Sequence, residues 1–119
     1  MQILEKRSSD SRRFDIDCSL LLNAGETIVS VAAPTASPVT SPAILFGTPL
    51  VNTSPNSYTD AFGNTRTVPT GQVVQVQISG GSIPSNARTE RYTLRFVLTT
   101  NQNPAVEATV VLLLNDTPT

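Results

Sequence analysis

The chain contains no histidine, no tryptophan and one cysteine, Cys18. Without imidazole, Ser-His-Asp and Cys-His catalysis and histidine-ligated zinc are excluded. A lone cysteine cannot form an internal disulfide, which argues against a disulfide-stapled secreted module. No glycine-rich phosphate loop exists, because Gly80-Gly81 is not followed by Gly-Lys-Ser/Thr. The longest apolar run, Val110 to Leu114, is far below the ~20 residues that cross a bilayer. Positions 1–13 are polar and charged with no apolar h-region, so no signal peptide is expected. These absences lead to the expectation of a soluble protein made in a reducing host cytoplasm, with no membrane partner.

Charge is scarce as well. Charged residues make up 14% of the chain, against ~25% in ordinary globular domains. Between Thr27 and Ala87 only Asp60 and Arg66 carry charge. The net charge is −1 and the pI about 5.2, which is not the basic footprint of a nucleic-acid binder, so no nucleic-acid partner is expected. Such a surface either stays soluble through Thr, Ser and Asn or is covered by neighbours.

What remains is a strong period-two pattern. Phe14, Ile16, Cys18, Leu20 and Leu22 alternate with polar residues, as a half-buried strand requires. Asn23-Ala24-Gly25 makes a turn, and Glu26 to Ala33 is a second strand rich in β-branched residues. Pro34, Pro38 and Pro42 mark a loop or edge. Ala43 to Val51 reads as a strand broken at Gly47-Thr48-Pro49. Residues 51–72 are a long polar segment, expected as an extra hairpin around Asp60 to Asn64 or as a projecting loop. Val74, Val76 and Ile78 alternate, then Tyr92, Leu94, Phe96 and Leu98, then Val106, Ala108, Val110, Leu112 and Leu114. No amphipathic helix is evident.

The expected fold is therefore all-β: an immunoglobulin-like antiparallel β-sandwich of about seven strands over 13–117, with a flexible N-terminal arm at 1–12. Tyr92 after a turn at Ser85 to Arg88 fits the tyrosine corner of such folds.

Few residues offer chemistry. Asp15 and Asp17 share one face of a strand, the spacing of a conceivable calcium or magnesium pair. The plainer alternative is two solvated aspartates, or partners for Arg12, Arg13 or Arg95. Cys18 falls at an inward, unreactive position. The triplets Asn52-Thr53-Ser54 and Asn115-Asp116-Thr117 carry no meaning without a signal peptide. No cofactor, metal site or catalytic residue is expected, and the chain reads as a structural or binding part and not an enzyme.

The segments Lys6-Arg7-Ser8-Ser9-Asp10, Phe14-Asp15-Ile16-Asp17-Cys18-Ser19 and Leu22-Asn23-Ala24-Gly25-Glu26-Thr27-Ile28 resemble the opening of the small tailed-bacteriophage virion proteins of the fibre–tail adaptor type. Val76-Gln77-Ile78-Ser79-Gly80-Gly81, Arg91-Tyr92-Thr93-Leu94 and Leu98-Thr99-Thr100-Asn101 resemble that family's second half. The resemblance covers about two-thirds of the chain. It departs at Cys18, where tryptophan is common, and at Val51 to Gly71, which resembles an insertion.

The resemblance implies an immunoglobulin-like virion component at the neck or tail, an adaptor that helps attach tail or fibres. Its implied partners are the portal or connector ring, tail or fibre proteins, and copies of itself in a ring. On this reading the arm residues Ile3, Leu4, Lys6, Arg7 and Arg12 dock onto a neighbour. Arg88 and Arg91 form a polar contact, Val111 and Leu113 an apolar one on the outer face of the last strand, and Tyr58 and Phe62 a loop contact. Two alternatives compete. One is a capsid decoration or stabilising protein on the same fold. The other is a non-viral carbohydrate- or protein-binding module, for which Tyr58 and Phe62 are the only loop aromatics.

Overall fold

The computed structural model describes residues 3–60, 62–83 and 89–115. Over these the chain forms an all-β sandwich with no α-helix. The strands are β1 (Ile3–Lys6), β2 (Arg12–Asp17), β3 (Ile28–Val31), β4 (Thr35–Ser37), β5 (Ile44–Phe46), β6 (Leu50–Val51), β7 (Asn56–Thr59), β8 (Thr65–Val68), β9 (Val73–Gly80), β10 (Thr89–Thr100) and β11 (Val106–Asn115). One sheet has the order β1-β11-β10-β3, with β4 pairing further along β10. The second has the order β2-β9-β5, with β6 further along β9. β7 and β8 form a separate hairpin, so the 51–72 segment is the extra hairpin that its turn formers suggest.

The alternating residues meet between the sheets. Ile16, Val74, Val76 and Ile78 from one sheet pack with Tyr92, Leu94, Phe96, Leu98, Val110, Leu112 and Leu114 from the other. Each such side chain contributes roughly 1.5–3 kcal/mol on burial. Phe46 meets Phe96 edge to face across the core, with ring centroids 6.1 Å apart.

Two expectations about the chain's start are corrected. Residues Ile3–Lys6 are not a flexible arm but a strand, and it runs parallel to β11 from Ile3↔Val111 to Lys6↔Leu114. The sandwich is thus mixed and not purely antiparallel. The reason is visible in the alternation: Leu4 and Lys6 face inward and are buried, while Ile3 and Glu5 face out. The first long strand also stops early, at Asp17. The Asp17 carboxylate accepts the Ser19 N–H at 2.9 Å, and a 3-10 turn follows at Ser19–Leu21. A side chain that bonds the backbone two residues on competes with the strand ladder. Leu20, expected inward, is consequently 98% exposed.

Polar side chains lock the places where strands end. The Tyr92 hydroxyl accepts the Ser82 N–H at 3.0 Å and lies 3.1 Å from the Ser82 carbonyl. It also lies 2.8 Å from Thr40 Oγ1. This is the geometry of a tyrosine corner, although the preceding turn at 84–88 lies outside the described residues. Gly81 makes the corner possible. Its φ is +90°, and an added Cβ would fall 2.6 Å from Ile44 Cδ1 and 2.7 Å from Leu114 Cδ1. Lys6 is only 3% exposed, and its ammonium donates to the Gly80 carbonyl at 2.9 Å and to Arg7 and Asp10 carbonyls of the β1–β2 turn.

At the opposite end, buried Glu26 accepts hydrogen bonds from the Thr100 hydroxyl, Asn103 Nδ2 and the Asn23 N–H. It thereby ties the turn before β3 to the β10–β11 loop. Asn52 closes the base of the hairpin. Its Oδ1 accepts the N–H groups of Gly71, Gln72 and Val73, and its Nδ2 donates to the Ser54 and Pro69 carbonyls.

Two predictions follow from these locks. Tyr92→Phe leaves the Ser82 N–H and carbonyl without their partner and lowers unfolding free energy by about 1–3 kcal/mol, read from urea denaturation. A variant as stable as the parent removes the corner as a fastening. The Thr100, Asn23 and Asn103 hydrogen bonds, Thr100 foremost, hold the Glu26 carboxyl below the usual range. Its folded-state pKa lies below its unfolded value, so its stabilisation is complete above the ordinary carboxylate pKa. It is lost as pH falls through the lowered one. Glu26→Gln therefore flattens the acid limb of a stability–pH curve, and an unchanged acid slope contradicts this.

Candidate functional site

The most developed surface feature is the β7–β8 hairpin and the strand it leans on. Period two places Asp15 and Asp17 on the outer face of β2, opposite Gln75 and Val73 of β9. The hairpin lies against this face. Asn56 Nδ2 donates to Asp15 at 3.2 Å, and the Tyr58 hydroxyl donates to Asp17 at 3.0 Å. Arg13 Nε sits 3.5 Å from the other Asp15 oxygen. The Asp15–Asp17 pair is thus engaged with side chains of the hairpin, its own strand and the Ser19 turn. Among the described residues no cluster of three or more His, Cys, Asp or Glu is placed to hold a metal ion. Asp17 in turn holds the Tyr58 phenol above its usual range, by hydrogen bond first.

The hairpin tip is held by one carboxylate. Asp60 accepts the Phe62 N–H at 2.9 Å, the Asn64 N–H at 3.0 Å and Arg66 Nε at 2.9 Å. Arg66, first of all, keeps the Asp60 carboxyl below its usual range. The Arg66 side chain is 64% exposed and that of Asp60 13%, so the tip turns its positive partner outward. The clamped turn displays Phe62, which is 88% exposed.

Beneath the base of the hairpin lies a cleft of about 550 Å³. Its floor is apolar, with Ile16, Cys18, Val68, Val73 and Val110, and Leu20, Leu21 and Tyr58 stand at its side. The 3-10 turn after β2 creates this wall by throwing two leucines outward. Val73, on the face of β9 opposite Val74, is buried here. Burial pushes the Cys18 thiol up to about 12, with the Asp17 charge adding to it. A thiol that high is protonated at neutral pH and inert as a nucleophile.

The structure separates the residues that the sequence grouped as contacts. Ile3, Arg7, Arg12 and Arg91 are exposed. Leu4 and Lys6 are not available to a neighbour, because both serve the sandwich's own core and corner. Val111 is also corrected: it is 3% exposed, sitting in a row between Ile3 of β1 and Thr93 of β10. Leu113 is half-buried, flanked by Glu5 and Arg91 in the same register. Arg88 lies outside the described residues. Tyr58 and Phe62 belong to one hairpin but face different tasks, Tyr58 at the cleft and Phe62 at the tip.

Leu20 and Leu21 were missed by the alternation. The available signal was Asp17 two residues before Ser19, the spacing of an Asx turn. The role of Asp60 was legible only as a turn former.

Asp60→Ala removes three hydrogen bonds from the tip and none from the two main sheets. The Phe62 and Asn64 amides should then exchange with solvent at least about tenfold faster, while the core amides of β9 and β10 keep their protection. Uniformly accelerated exchange would show that the tip is not an independent unit. Comparison with protein-family models, curated proteins and solved structures finds no match for this chain.

Proposed function

We propose that the chain is a structural virion protein of a tailed bacteriophage, an adaptor subunit at the head–tail neck or connector that helps attach tail or fibres. Its partners are the portal or connector ring, tail or fibre proteins, and other copies of itself. The order and spacing of the segments from Lys6 to Ile28 and from Val76 to Asn101 support the family side of this reading.

The observation that carries the functional side is the display of large apolar side chains on a sparsely charged surface. Leu20 and Phe62 are almost fully exposed, and Val39, Leu45, Leu50 and Val29 are also well exposed. Single exposed apolar residues are ordinary. Leu20 and Leu21 are different because they flank a cleft, and Phe62 because a charged clamp holds it outward. Apolar surface in such settings marks a protein contact. From Thr27 to Ile83 the described exposed polar side chains are, apart from Arg66 and Tyr58, those of Thr, Ser, Asn and Gln, which hydrogen-bond at an interface without the desolvation cost of charge.

The test is the chain's position in particles. Virions assembled with an epitope-tagged copy should carry the tag in a ring at the neck, seen by cryo-electron microscopy after antibody-fragment labelling. Label spread over the head lattice would replace this reading with a capsid decoration protein, and label-free virions would end it.

A further inference from the structure

The β7–β8 hairpin borders the cleft without belonging to either main sheet. Its two strands pair with each other and, among the described residues, with no other strand. Asn56, Ser57, Tyr58 and Val68 of the hairpin line the cleft together with Ile16, Cys18, Val73 and Val110 of the floor. We infer that the hairpin is a hinged lid: it swings about its base to uncover the apolar floor, and the bonds of Asn56 to Asp15 and of Tyr58 to Asp17 latch it shut.

Three observations support a lid that opens while the sandwich stays folded. The first is how little the hairpin buries. Val68 is the one buried residue of its strands, and segments with few buried apolar contacts open locally well before the core does. The second is the kind of latch. Both bonds join side chains to carboxylates at the surface, so breaking them disturbs no strand ladder. The third is a fixed base. Asn52, 4% exposed, takes the N–H groups of Gly71 and Val73 and gives its own amide protons to the Ser54 and Pro69 carbonyls. Gly71, at φ +83°, lies so close to the body that a Cβ there would fall 2.9 Å from Thr27 Cβ. Both legs are therefore anchored at one level, and the moving part begins beyond Ser54 and Pro69, as in other hinged elements.

The closed lid has something to cover. Ile16, Cys18, Val73 and Val110 are at most 3% exposed. Opening makes this floor accessible to apolar groups that the closed form excludes, which is the gating that lids perform. The inference concerns the single chain and goes beyond the virion reading.

Cys18, the chain's one cysteine, reports the opening. It lies in the cleft and is 1% exposed, so it reacts with N-ethylmaleimide only when uncovered. In urea well below the unfolding transition, the parent should label at a rate that does not change with urea, because a local opening exposes little surface. Tyr58→Phe and Asn56→Ala each remove one latch bond to a carboxylate and should speed labelling at least about tenfold. Tyr92→Phe weakens the sandwich equally with the lid open or closed, so it should label at the parental rate.

A labelling rate that climbs with urea from the start overturns the inference, as does Tyr92→Phe labelling as fast as the latch variants. Either would show that Cys18 is reached by unfolding of the whole chain. Asn56→Ala leaves the Asp17–Ser19 bond intact, so a parental rate in that variant would move the opening to the 3-10 turn and overturn the lid. The virion reading fails separately, by absence of the tagged chain from particles.

Discussion

The sandwich depends on one corner, where side chains of one sheet hold the end of the other. Tyr92 and Lys6 both belong to the sheet built on β10 and β11. Tyr92 takes the Ser82 backbone just past the end of β9, and Lys6 takes the Gly80 carbonyl. β9 is the strand that β2, β5 and β6 all pair with, so fixing its end sets the register of the whole second sheet against the first. A buried ammonium is costly unless its protons are matched. Here backbone carbonyls of the β1–β2 turn and of Gly80 surround it. With β1 paired on β11, the Gly80 bond is the one of these that ties the chain's start to the second sheet.

The corner also dictates composition. Gly80 and Gly81 both have positive φ, and a Cβ on Gly80 would fall 2.3 Å from the Ala43 carbonyl oxygen. The chain must pass close to β5 there, and only glycine leaves room. With one end fastened in this way and the other tied by Glu26, the middle of the sandwich is left to apolar packing. Few charges are needed inside, and few are found outside.

The candidate surface is an addition to the second sheet. The β7–β8 hairpin is joined to the body by Asn52 at its base and by the bonds of Asn56 and Tyr58 to Asp15 and Asp17. Its own Val68 is buried, as is Val73 on what is otherwise the outer face of β9.

The sequence by itself determined the β class and the inward faces of the long strands. Alternation at Val74 to Ile78, Tyr92 to Leu98 and Val106 to Leu114 is a local property, fixed by the two-residue repeat of an extended chain. It also determined the break at Gly47-Thr48-Pro49 and the hairpin turn at Asp60 to Asn64, where residue type sets backbone angles. Tertiary structure alone decided that Ile3–Lys6 joins β11 and that Val111 and Val73 are covered. Those outcomes depend on which distant strand or hairpin lies over a face, and alternation within one strand carries no record of its neighbours. The cleft belongs to the same class: Asp17 and Tyr58 meet only once β2 and the hairpin have been brought together.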